Sequence, residues 1–155
     1  MRNIVAILPY KIPKIGLGSC IYYTEGYEIV EKIPTNILKN QCDLNNVNRR
    51  SWIKKLREEF DIKRNYPWII RHDMVFFGFK FRESAIDDQR AFVNTLFVER
   101  IDESEIILTT NEKISTLNTR KTMLNKYIEA EFFRMRLALD YLISLNDVKN
   151  LKSPL

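Results

Sequence analysis

Apolar residues along the chain follow two periods, and the switches between them predict an α+β fold. Residues 3 to 8, NIVAIL, carry a β-branched apolar run that suits a buried strand ended by Pro9. KIPKIGLGS then supplies the proline and glycines of a turn-rich connection. CIYYT at 20 to 24 and YEIVEKI at 27 to 33 predict two more strands, joined by a tight turn at Glu25-Gly26, with Pro34 ending the second. The period changes after DLNNVN (43 to 48), whose side chains can cap a helix. Trp52, Ile53, Leu56 and Phe60 recur at helical spacing and predict one short helix over about 48 to 60.

PWIIR (67 to 71) and MVFFGFKF (74 to 81) return to the strand pattern and join through His72-Asp73. AFVNTLFVERI (91 to 101), EIILTT (105 to 110) and KISTL (113 to 117) extend it as a meander, with turns at Asp102-Glu103-Ser104 and Asn111-Glu112. Asn118 and Thr119 can cap a long helix over about 120 to 145, with Met123, Tyr127, Ile128, Phe132, Met135, Leu139 and Leu142 as its apolar stripe. One domain over 1–146 is expected, with a frayed tail at 147–155. The expected architecture is a mostly antiparallel β-sheet with one short basic helix and a long C-terminal helix, packed against one face or end.

Composition agrees with an ordered chain: 155 residues, 45% hydrophobic, with only 4 Gly and 5 Pro. The start lacks a signal-type apolar region, and no run approaches the roughly 20 apolar residues that cross a bilayer. A soluble, cytoplasmic protein without a membrane partner is expected, with Cys20 and Cys42 as reduced, buried thiols.

Candidate chemistry is sparse. His72 is the single histidine and falls at a hairpin turn without a nucleophile signature beside it. Cys20 and Cys42 have no second pair to complete a zinc site. A magnesium-dependent nuclease could draw on Glu58, Glu59, Asp87, Asp88, Asp102, Glu103 and Glu105. Glu58 and Glu59, however, stand beside Lys54 and Lys55 at the spacing of a salt-bridged helix surface, and the others fall in or beside turns. No phosphate-binding glycine loop is present. No enzyme, metal or cofactor is therefore expected.

Charge changes the picture more. Arg49, Arg50, Lys54, Lys55, Arg57, Lys63 and Arg64 stand against three acidic residues between 48 and 64, a net of +4 in 17 residues. With Trp52, Ile53, Leu56 and Phe60 turned to the core, Arg49, Arg50, Lys54 and Arg57 are expected to project outward. Cations at a helix start oppose the macrodipole unless an anion lies close. The last helix adds Arg120, Lys121, Lys126, Arg134 and Arg136, while acidic residues gather in 83 to 105. Such asymmetry suits a nucleic-acid binder, although a solvated face or a site for an acidic partner protein has the same composition. No helix-turn-helix is legible, because the basic helix leads into a strand.

The order of blocks resembles the competence transcription factor ComK family. NIVAILP comes first, then a Cys-to-Cys segment ending IPTNILKNQC, then NRRSW, YPWII, VFFGFKF, AFVNTLFVERI, LTTNEKISTL and MLNKYIEAEFFRMRL. The resemblance implies a transcriptional activator that recognises paired AT-rich boxes in double-stranded DNA, largely through the minor groove. It also implies a homo-oligomer, dimeric or higher on DNA. Carried onto this chain, it makes Arg49 and Arg50 the first candidate contacts, with Lys54, Lys55, Arg57, Lys63, Arg64 and Arg71 holding the DNA backbone. The family's Asn-Gly hairpin turn stands here as Asn111-Glu112. The chain ends soon after its last helix, without the tail through which some members meet a degradation adaptor, so adaptor-controlled turnover is not expected.

Overall fold

The computed structural model describes residues 2–83 and 89–152. Strands β1 (Ile4–Ile12), β2 (Gly16–Tyr23) and β3 (Tyr27–Val30) open the chain, followed by helices α1 (Pro34–Leu44) and α2 (Arg49–Glu59). Then come β4 (Trp68–Arg71), β5 (Met74–Phe79), β6 (Ala91–Asn94), a 3₁₀ turn at Thr95–Phe97, β7 (Val98–Asp102), β8 (Glu105–Leu108) and β9 (Lys113–Ser115). Helix α3 runs over Arg120–Lys152. Six strands form one sheet in the order β3-β2-β1-β6-β5-β4, and β7-β8-β9 form a second. Every strand pair is antiparallel. The α+β class with a long C-terminal helix is thus as the sequence predicts.

Both faces of the large sheet are covered, which explains why its strands read as unbroken apolar runs. Along β5, Met74 and Phe76 point into one core while Val75, Phe77 and Phe79 point into the other. Ile37, Leu38 and Cys42 of α1 close the first core. Leu56 of α2, with Met123, Ala130 and Phe133 of α3, closes the second. The order of elements predicts helices against one face or end of the sheet; instead α1 covers one face and α2 with α3 the other.

Four local expectations change. Helix α1 was hidden behind Pro34, which starts it at N1 instead of merely ending a strand; the ring supplies a helical φ and its missing N–H needs no partner there. β1 continues through Pro9 to Ile12, because β6 pairs only with Ala6 and Ile7 and leaves that stretch open on one side. The run 91 to 101 splits into two strands in different sheets at Asn94. Its buried amide donates to the Ile4 carbonyl at 3.1 Å and the Asp73 carbonyl at 2.9 Å, and its oxygen accepts from the Leu96 N–H. Helix α3 continues through 147–152, where fraying is expected, and the last three residues lie outside the described ones.

Candidate nucleic-acid interface

Helix α2 starts cleanly: the Asn48 side chain accepts from the Ser51 N–H at 3.1 Å, and Phe60 closes the other end on the Leu56 carbonyl. Leu56 is fully buried, and Trp52 and Phe60 lean edge-on against Phe133 of α3. That packing leaves Arg50, Lys54 and Arg57 exposed. Their i, i+4, i+7 spacing draws one stripe of positive charge about 10 Å long down the helix.

Arg49 does not join it. Its guanidinium turns inward, donating to the carbonyls of Tyr66, at 3.0 Å, and Pro67, and lies 4.0 Å above the Trp68 ring. Burial lowers its pKa to about 10. The expectation that Arg49 projects outward is overturned: it clamps the start of α2 to the strand that follows. Carbonyl dipoles thus supply the negative charge that a cation at N1 requires. Lys55 is also drawn in, its ammonium 5.3 Å from the Trp52 ring centre.

The segment from Asp61 to Tyr66 holds Lys63 and Arg64 at an exposed tip. Ile62 packs into the core, the Tyr66 hydroxyl donates to the Lys63 carbonyl at 3.1 Å, and Asp61 and Asn65 adopt positive φ to make the bends. Arg71, at the β4–β5 hairpin, is engaged by Asp73 at 2.5 Å and offers a partly neutralised charge.

Ion pairing separates the rest. Among the described residues the pairs are Arg71–Asp73, Arg100–Asp102 and Arg134–Glu131, so the salt bridges expected between Lys54, Lys55 and Glu58, Glu59 do not form. The cations of α3 are largely occupied by the fold. Arg120 donates to the Ile101 carbonyl at 2.9 Å, Lys126 to the Gly78 carbonyl at 2.7 Å, and Arg134 to Glu131, which also accepts from Thr95 and Tyr127. Lys121 stays exposed. Sequence spacing could not reveal the first two, since Ile101 and Gly78 lie on other elements, whereas Arg134 and Glu131 stand three apart on α3 itself.

α1 and α2 are joined by only Asn45–Asn48, the length of a helix-turn-helix connection. They pack in separate cores on opposite faces of the sheet, so they do not form such a unit. His72 stacks on Tyr141 with ring centres 4.6 Å apart, and both cysteines are buried and free. Among the described residues no cluster of three or more His, Cys, Asp or Glu is placed to hold a metal ion, and no helix is long and apolar enough to cross a membrane. Asp87 and Asp88, weighed as nuclease carboxylates, lie outside the described residues.

No protein-family model matches the sequence, and neither a curated protein nor a solved structure matches it.

Proposed function

We propose that this chain is a DNA-binding transcriptional regulator, an activator of the ComK type, that holds AT-rich duplex DNA with α2 and the loop after it. The observation that carries this reading is the exposed stripe Arg50, Lys54 and Arg57, free of ion pairs among the described residues and followed in the chain by the exposed Lys63 and Arg64. Such a surface meets phosphate without first breaking an internal salt bridge. Five cations would release counterions with a log–log salt slope of about −4 to −5. Preference for paired A- and T-tracts comes from the family resemblance. It also fits a basic helix that belongs to no helix-turn-helix, since groove width and DNA stiffness can then supply specificity.

Self-association belongs to the same reading. Ile128, Phe132, Met135, Leu139 and Leu142 recur at alternating spacings of four and three along α3, and each is at least half exposed. That spacing is the one a two-stranded coiled-coil seam uses, and it supports a two-fold dimer.

The test is affinity, at several salt concentrations in EDTA, for a duplex with paired A- and T-tract boxes against a GC-rich duplex of equal length. Strong AT preference with a steep slope is expected. Weak, sequence-blind binding would overturn the proposal and leave α2 as a site for an acidic protein partner. Strand cleavage on adding magnesium would instead identify the nuclease.

A further inference from the structure

β4 begins at Trp68, which pairs with Phe76, so β5 beyond that point has no strand on its outer edge. Lys126 of α3 occupies the gap, donating one of its three N–H groups to the Gly78 carbonyl at 2.7 Å. Arg90, just before β6, comes to the same place. A Cβ built on Gly78 would lie 3.0 Å from the Phe92 ring and 3.7 Å from Arg90 Cδ, so the glycine keeps room for both. Arg49, lying above Trp68, lines the same cavity. Three cations from three separate segments thus line one cavity of about 180 Å³, together with Asn65 and Tyr66.

Like charges gathered out of water repel one another and lose hydration. Lys126 registers both costs: burial, then the charge of Arg90, bring its pKa down to about 8, with Lys80 adding to the effect and Glu129 opposing it. Hydrogen bonding to Gly78 leaves Lys126 two further donors, and a guanidinium can grip a tetrahedral oxyanion through two N–H groups at once. A phosphate group would offset the repulsion in a way that water cannot.

The geometry points to an oxyanion site in this cavity that takes one phosphate group, supplied either by the DNA backbone or by a free phosphate-bearing small molecule. The DNA source rests on the function proposed above; the free source does not. The Lys63-Arg64 tip adjoins Asn65 in sequence, which would let a duplex lying on the loop direct a phosphate into the cavity.

The first measurement is thermal unfolding and calorimetric titration of the full chain with sodium phosphate against sodium chloride at constant ionic strength. Saturable stabilisation by phosphate beyond chloride is expected, weakened at least tenfold in Lys126→Met and, independently, in Arg90→Met. Lys126→Arg should retain it, with an unchanged circular dichroism spectrum in all three. The second arm measures the salt slope for the AT-rich duplex. A slope smaller by about one in Lys126→Met assigns the phosphate to DNA. An unchanged slope with phosphate binding intact in the wild type assigns it to a free ligand. Phosphate binding without any DNA binding would sustain the site while sinking the regulator. Steep DNA binding, with neither a phosphate effect nor a slope change in either methionine variant, would overturn the site and leave the regulator standing.

Discussion

Arg49 and Arg50 are adjacent in sequence, yet the fold turns one inward and leaves the other exposed, which under the proposed function divides their work between stability and binding. Replacing Arg49 by Ala removes two charge-assisted hydrogen bonds to backbone carbonyls, contributing ~1.5–3 kcal/mol each, and a cation–π contact of ~1 kcal/mol. Against this stands the cost of burying the guanidinium. Its pKa of about 10, well below the ordinary arginine range, corresponds to ~3 kcal/mol favouring release of the charge. The balance is a net loss of ~2 kcal/mol, or a fall in Tm of ~4–8 °C for a chain of this size. Arg50→Ala touches an exposed side chain and should change stability by less than ~0.5 kcal/mol. In DNA titrations the order inverts: Arg50→Ala lowers the salt slope by about one, whereas Arg49→Ala changes it only if the cavity phosphate is engaged. Urea denaturation followed by tryptophan fluorescence checks the first half, since Trp68 lies beneath Arg49. Equal effects of the two substitutions on the urea midpoint would refute the assignment of Arg49 as a clamp.

Other expectations follow from the same geometry. Asn94→Leu should cost ~2–3 kcal/mol in urea denaturation, because the amide joins β1, the β4–β5 hairpin and the 3₁₀ turn and its loss leaves buried carbonyls without donors. Lys126 has a folded pKa of about 8, below its ordinary 10.5, so between these values the unfolded chain binds the extra proton. Wild-type stability relative to Lys126→Met should therefore rise through pH 8 to 10.5, by ~2 kcal/mol once solvent screening is allowed for, and be flat below pH 7. Burial raises the thiols of Cys20 and Cys42 and the phenol of Tyr127, but these groups occur in both proteins and cancel in the difference. In the proposed dimer, Leu139→Lys places a charge on the exposed apolar stripe of α3 and should shift sedimentation from dimer to monomer with little change in Tm. A wild-type monomer at tens of micromolar, both free and on DNA, would count against the seam.

Local periodicity by itself determined most of the elements of this protein. Apolar runs placed the strands, and Trp52, Leu56 and Phe60 placed α2, because side-chain direction repeats with the backbone period wherever the element sits. The turns at Glu25-Gly26, Glu103-Ser104 and Asn111-Glu112 were legible for the same local reason: Gly26, Ser104 and Asn111 all adopt positive φ, in turns rich in residues that tolerate it. A helix at 34–44 was within reach, since Ile37, Leu38 and Cys42 share a face behind an N1 proline, but Pro34 also ends a strand pattern and the two signals compete.

Tertiary structure decided the availability of Arg49, Arg120 and Lys126, whereas the pairs Arg71–Asp73, Arg100–Asp102 and Arg134–Glu131 join residues two or three apart in the chain. Charge on a helix face reads the same whether the side chain meets water, a carbonyl or a carboxylate. Only folding brought Tyr66 and Pro67 to Arg49, Glu131 to the Thr95 hydroxyl, and the open edge of β5 to Lys126. The wrapping of α1 and α2 around opposite faces of one sheet has the same origin. It depends on where β4 docks, and strand pairing across tens of residues leaves no periodic trace in the chain that makes it.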